Sequence, residues 1–493
     1  MSDEFKTRTI NSLSWSAISQ TVTQVLNFII GVILVRLLTP DVFGLMGMVG
    51  VLAGFASLFS DLGMGAALIQ KKDAEQKHYS SIFWINIILG IALMTIFMCA
   101  APWIAGFYKE PDLVPLTYLI SLNFFVGSFN IVQKTLMQKK MNFKSLAIVE
   151  IVVLVFSGSI AIVLAVSGFG VWSLAIKSLL STSIAVVLMW YISGWRPRFL
   201  IDWMAVRELL GFSSNLFGFR TMNYFIRNAD NLLVGRFLGS SALGLYDKAY
   251  SMMLFPLNNI SRVIERVMFP AFSSIQEDKL RIKNIYLQIT RSVALITFPM
   301  MFGLLVVTES FVITVFGSQW SGMIPVMQAL SIVGAIQSIG TLNGNIYLSQ
   351  GRTGLQFKVG TVLGILGVVA IVVGLQWGIK GVAHSYALFS LLAAGPGIKI
   401  AVSLVGITFK EVVVNLSGVF GSAVGMAIGV YLLGYLLPVY WQHWAYLAVQ
   451  VPFGITLYLL LIRTFRLKAY MELKTLLREQ WQLRFAKTSS TIS

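Results

Sequence analysis

The amino-acid sequence predicts an all-α polytopic membrane protein, and three observations predict it. Of 493 residues, 57% are hydrophobic and 12% charged, with a mean hydropathy of +0.79. A water-soluble chain of that length needs far more polar surface. Apolar stretches recur along the chain, about 14 of them meeting the requirement of about 20 mostly apolar residues for a spanning helix. The basic residues, which give a formal charge of +17, collect in alternate loops. Nucleic acid does not account for that surplus, since no soluble basic domain exists to bind it. Membrane topology does.

Taken in order, the apolar segments centre near Gln24, Phe55, Leu89, Asn123, Phe156 and Ser181, then near Asn223, Pro256, Met301, Gly334, Gly367 and Phe389, and finally near Gly425 and Pro452. The first six make an amino-terminal lobe over residues 1–195 and the next six a second lobe over 209–409. Between them Arg196-Pro197-Arg198 breaks the helix, and 196–208 reads as an interfacial linker. Two further helices occupy 410–463, and 464–493 form a basic amphipathic tail. That tail mixes Leu, Met, Tyr and Trp with Lys and Arg at helical spacing, which suits either an anionic membrane surface or a solvated helix. The amino terminus and every second loop hold about 25 basic residues against about 4 in the alternate loops, which predicts cytoplasmic termini. The alternate loops are short and leave no room for an extracytoplasmic catalytic domain.

Bends are expected at Pro256, Pro299, Pro325, Gly395-Pro396-Gly397 and Pro452. Proline frees a carbonyl inside a spanning helix, and such bends serve either rocking or static packing. Cys99 is the lone cysteine, which excludes a disulfide within the chain. No Walker lysine loop, no His/Cys metal spacing and no Ser/His/Asp grouping is present, and His78, His384 and His443 are isolated. Neither a cofactor, a metal nor an enzymatic activity is expected.

The chain also repeats itself. Leu34–Leu45 (LVRLLTPDVFGL) aligns with Val234–Leu245 (VGRFLGSSALGL), two hundred positions later, with Arg36 on Arg236, Leu38 on Leu238 and Gly44 on Gly244. The same register places Gln20, Thr23, Gln24 and Asn27 on Arg220, Asn223, Tyr224 and Arg227. Steps of three and four residues put each set, with Asn231, on one stripe of its helix. Duplicated hydrophobic segments with polar interruptions at matching places mark a transporter whose site lies between two repeats. A charge in mid-bilayer costs at least about 2.5–3.5 kcal/mol, so Arg220 and Arg227 must face protein or water.

The intramembrane cations Arg220, Arg227, Lys177, Lys248 and Lys399 suit an anionic ligand, and guanidinium suits phosphate oxygens best. Asp61, Glu150, Asp230 and Asp247 are candidates for coupling to H⁺ or Na⁺. Asp230 and Asp247 also have basic neighbours in sequence, Arg227 and Lys248, and pairing alone would account for them.

The motifs LLTPDVFGL, SDLGMGAALIQKK, LMQKKMNFK, VFGSQW, NADNLLVGRFLGSSALGLYDKAY and VMFPAFSSIQEDK together resemble the polysaccharide transporter family. They are most similar to the Wzx-type exporters of colanic acid and related surface polysaccharides, in the superfamily that also holds multidrug/toxin extruders and lipid II flippases. The resemblance covers the chain through the twelfth helix. It implies two six-helix lobes in a V around a central cavity, alternating access, and a polyprenyl-pyrophosphate-linked oligosaccharide flipped across a bacterial inner membrane. The resemblance also implies a cationic cavity, here Arg220 and Arg227 with Lys177, Lys248 and Lys399, and a polymerase and chain-length regulator as pathway partners. The neutral stripe of the first helix, Gln20, Thr23, Gln24 and Asn27, departs from that pattern and leaves pyrophosphate to the second lobe. A multidrug/cation antiporter is the rival within the superfamily, and a membrane polysaccharide polymerase or ligase the rival from another class.

Overall fold

In a lipid bilayer every backbone N–H and C=O must find a partner inside the segment itself, which leaves helices as the economical way for these apolar runs to cross. The computed structural model bears this out: among the described residues there are helices and turns and no strand. The structure describes the backbone at 3–61, 64–71, 73–210, 214–468, 470–472 and 474. Side chains are described from Gln20 onward, except at 61–63, 66, 72, 205, 208–223, 261–263, 265–266, 469, 473 and 475–493. Every centre read from the sequence falls in a helix. The chain divides into two compact units, Met1–Gly244 and Leu245–Ser493.

In the first unit, α1 (Asp3–Leu37) leads through a two-residue break into α2 (Pro40–Asp61). A short α3 (Met64–Gln70) precedes α4 (Gln76–Tyr108), and α5 (Leu113–Ser128) and α6 (Ile131–Lys139) follow. The last two meet at an angle of 44° around Phe129-Asn130. α7 (Phe143–Val166) and α8 (Val171–Ser193) complete the set of spans before the linker.

α1 packs on α7 through Ile30, Leu34, Leu154, Ala161 and Ala165. Gly158 lets Ile30 approach where a Cβ would collide with it. Polar groups stitch the next layer: Ser181 donates to Ser157 at 2.8 Å, and Thr182 donates to the Asn123 amide oxygen at 2.7 Å. Phe83 stands edge-on to Trp84, Phe129, Trp190 and Trp195, with centroids 5.4–6.0 Å away.

Lys139 Nζ donates to the carbonyls of Leu68 (3.3 Å) and Lys71 (2.7 Å) at the end of α3, where a cation satisfies orphan acceptors and the helix dipole together. The linker is also held. Arg198 N–H donates to Ser80 Oγ and Asp202 N–H to Ser81 Oγ, while Trp84 Nε1 donates to the Arg198 carbonyl. Thereafter α9 (Trp203–Leu210) forms the short amphipathic helix read from the sequence.

Next comes α10 (Ser214–Ser274), one long helix interrupted at Gly239, whose φ of 87° and ψ of 179° are not helical. Only glycine adopts that backbone without strain. The interruption falls at the position that the repeat aligns with Thr39, between α1 and α2. Because the half of α10 before it packs on α2, the compact unit extends to Gly244, beyond the 196–208 linker.

The second unit holds the remainder of α10, then α11 (Lys279–Val315), α12 (Ile324–Ile339), α13 (Asn343–Ser349), α14 (Thr353–Gly374), α15 (Gly378–Ser403), α16 (Phe409–Leu436) and α17 (His443–Thr464). α11 is its spine, packed against α12, α16 and α17. Tyr458 of α17 donates its hydroxyl to the Leu295 carbonyl of α11 at 2.9 Å, so the last two helices are fixed to that spine. Pro256, Pro299, Pro396 and Pro452 lie inside helices. Pro325 instead occupies the first turn of α12, where proline's missing N–H costs nothing and no bend follows.

An interhelical hydrogen bond between membrane helices is worth about 0.6 kcal/mol on average and about 1.7 at most. A double-mutant cycle of Asn123→Leu with Thr182→Val, read by unfolding in mixed micelles, should return a coupling in that range. A coupling of zero would show that the pair does not hold α5 to α8.

Candidate functional site

The leading helices of the two repeats meet at their breaks. An ideal Cβ on Gly44 of α2 would overlap the Ser240 carbonyl of α10, and one on Gly244 would overlap the Pro40 carbonyl of α2. Pro40 and Ser240 are aligned by the repeat, as are Gly44 and Gly244, so the contact is reciprocal. Each glycine admits the other copy's backbone where any side chain would hold the helices apart.

Around this crossing the packing is tight. Leu243, Val234, Met48 and Val49 are fully buried, and Gly235 sits against Tyr108, Leu243 and Met48. Ser240 Oγ donates to Glu110 Oε1 at 2.9 Å, and the Arg236 guanidinium lies 5.3 Å from the Phe107 ring centroid. The end of α4 thereby joins the crossing.

The same two helices stay together further along. Tyr224 donates its hydroxyl to the Val51 carbonyl at 2.6 Å, over Gly54, which has no side chain to obstruct the ring. Phe55 packs on Phe225 with centroids 4.7 Å apart and on Tyr224 at 6.2 Å. From Gly44 to Phe55, at about 1.5 Å per residue, the seam covers about 16 Å. That is about half of a hydrocarbon core about 30 Å thick.

The polar stripe of α10 runs within the same stretch, between Tyr224 and Val234 of the seam. Arg227 is exposed and makes no ion pair among the described residues, and Asn231 is half-buried. Asp230 is buried, and its carboxylate accepts from the Asn231 N–H at 2.8 Å. The side chains of Arg220 and Asn223 lie outside the described residues. On α1, Gln20 and Asn27 are exposed while Thr23 and Gln24 are half-buried. The Thr23 hydroxyl has no hydrogen-bond partner among the described residues.

Lys177 is half-buried on α8. Lys248 is paired with Asp247 at 3.9 Å, and the break at Gly239 puts both on a different helical segment from Arg227. Lys399 and Glu150 are exposed, and the Asp61 side chain is outside the described residues. No group of three or more metal-ligating side chains comes together among the described residues.

Repeated helices with a polar stripe and a shared break define a polytopic membrane protein of the transporter class. The chain belongs to the polysaccharide biosynthesis protein family, whose sequence profile matches residues 33–325. It is 30% identical to the teichuronic acid biosynthesis protein TuaB of Bacillus subtilis, over 87% of this chain and 89% of that protein. It is 29% identical to the lipopolysaccharide biosynthesis protein WzxC of Escherichia coli, over 78% and 79%. Among solved structures, the lipid II flippase MurJ in an inward closed conformation superposes with a TM-score of 0.73 at 14% identity, over 91% of this chain and 98% of that one. The last likeness is one of fold. The profile and the relatives bear out the family that the motifs suggest.

The crossing itself is not among the residues singled out from the sequence, although the repeat that aligns Gly44 with Gly244 carries the signal. In a Cys99→Ser background, a cysteine at Leu243 should resist a water-soluble maleimide, because that position is fully buried. Adding Gly44→Val should expose it and raise labelling at least about tenfold, the equivalent of about 1.4 kcal/mol. Gly50→Ala, where a Cβ meets nothing within 4 Å, should leave it protected. Equal protection in all three proteins would contradict the glycine crossing.

Proposed function

We propose that this protein is a flippase that moves a polyprenyl-pyrophosphate-linked oligosaccharide across the bacterial inner membrane for surface polysaccharide assembly. The observation that carries this reading is Arg227, an exposed guanidinium without an ion pair among the described residues, on a repeat-leading helix of a chain in the polysaccharide biosynthesis family. Its planar fork matches pyrophosphate oxygens, and water or an anionic cargo removes the cost of holding it within the membrane. A cationic drug would be repelled by the same group, which disfavours the antiporter reading.

On this account Arg220 and Arg227, with Asn223 and Asn231, take the pyrophosphate, and Gln20, Thr23, Gln24 and Asn27 face the sugars. Lys177 adds positive field, and the prenyl tail stays in lipid. The lobes 1–195 and 209–409 rock about the linker, and the positive-inside bias places both termini in the cytoplasm. The Gly44/Gly244 crossing then lies at the outer end and must part to release cargo, which a polymerase and a chain-length regulator would receive. Asp230, the buried member of the acidic set, is the carboxylate we assign to H⁺ or Na⁺ coupling, since a change of occupancy there changes charge in a low-dielectric place.

Hydrogen bonds to a charged group contribute about 1.5–3 kcal/mol. Arg220→Ala and Arg227→Ala should therefore each lower polymer export in a complementation assay by at least about tenfold, with Arg227→Lys retaining part of it. Normal export by both alanine variants would overturn the cargo site.

A further inference from the structure

A pocket lies in the second unit, away from the polar stripe in sequence and built from different helices. Its walls are α11, the start of α16 and the chain just after α17, and its volume is about 560 Å³. Because α16 and α17 form an antiparallel pair, the start of one and the end of the other stand at the same membrane boundary. Lys410 and Lys468 mark that boundary at the pocket mouth. Both are exposed, and neither carries an ion pair among the described residues.

The other charges at the pocket are already matched. Arg291 donates through Nη1 to Asn415 Oδ1 at 3.0 Å and through Nη2 to Glu472, while Asn415 donates to the Leu287 carbonyl at 2.8 Å. Lys283 is paired with Glu411. Arg291 Nε and the second oxygen of Glu472 remain buried without a partner. The rest of the lining is hydrocarbon, from Leu287, Val414, Val419 and Leu467, with space left by Gly418, where a Cβ would come within 2.8 Å of Leu467 Cδ2.

Two ammonium groups without an ion pair among the described residues, beside an apolar lining at the membrane boundary, match a lipid that carries a net negative phosphodiester. The slot has the volume of a small-ligand pocket rather than of a multi-sugar cargo. We propose that this pocket binds an anionic glycerophospholipid of the leaflet that the basic loops face, with its phosphate between Lys410 and Lys468 and an acyl chain along Val414 and Leu467. Bound lipid would join α11, α16 and the post-α17 segment into one unit, which gives the two helices beyond the lobes a role as a lipid-held brace. The inference rests on the membrane placement proposed above and not on the identity of the cargo.

The test uses the full chain in detergent and reads its thermal unfolding with added phosphatidylglycerol, phosphatidylcholine or polyprenyl phosphate. A ligand that binds only the folded state raises the midpoint, so phosphatidylglycerol should raise it by several degrees and phosphatidylcholine should not. The doubly substituted Lys410→Ser/Lys468→Ser protein should lose that rise, and the Lys410→Arg/Lys468→Arg protein should keep it. Gly418→Leu, which fills the slot without touching a charge, should lose it too and stands in if the serine variant does not fold.

An equal rise in the serine variant, an equal rise with phosphatidylcholine, or a rise with polyprenyl phosphate but not phosphatidylglycerol would each overturn the proposal. Arg227→Ala should retain the phosphatidylglycerol rise, so the failure of the cargo site and the failure of this site give different results.

Discussion

Two glycines determine how closely the repeats' leading helices can approach. At Gly44 and Gly244 backbone meets backbone, each copy seated on the carbonyl of the residue that opens the other copy's next helix. Everything else in the seam follows from that distance: the burial of Leu243 and Met48, the reach of Ser240 to Glu110, and the line of contact down to Tyr224 and Val51. Lipid gives helices no hydrophobic reason to associate, so close van der Waals contact and a few hydrogen bonds must supply the attraction. An interface of that kind is tight when seated and has little to hold it once parted, which is the property a gate needs.

Much of this was legible in the sequence. Hydropathy alone located the helices, because in a bilayer the need to satisfy the backbone leaves few alternatives. The alignment of Leu34–Leu45 with Val234–Leu245 matched the break at Gly239 to the break between α1 and α2, and placed the two glycines in register. What the alignment did not disclose is that aligned residues would touch. Similarity between copies is a statement about each separately, and a two-fold contact between them needs coordinates.

Other features had no local signal. The 44° bend between α5 and α6 occurs at Phe129-Asn130, without a proline to mark it. Arg291 of α11 is held by Asn415 and Glu472, partners 124 and 181 residues away. Asn415, which opens a formal glycosylation sequon, anchors that arginine from within a membrane helix. Pairings over such separations are set by the packing of α11, α16 and α17 and cannot be read from spacing.

The central claim is that the seam between α2 and α10 closes one end of the transport path and must open in every cycle. It is tested most directly by locking it. An ideal Cβ on Gly47 lies 3.3 Å from Leu243 Cδ2, so cysteines at these two positions in a Cys99→Ser background can be bridged by oxidation or by a short bifunctional thiol reagent. Polymer export should stop when the pair is bridged and return when a disulfide bridge is reduced, with each single cysteine indifferent to oxidant. Undiminished export from fully bridged protein would contradict the account.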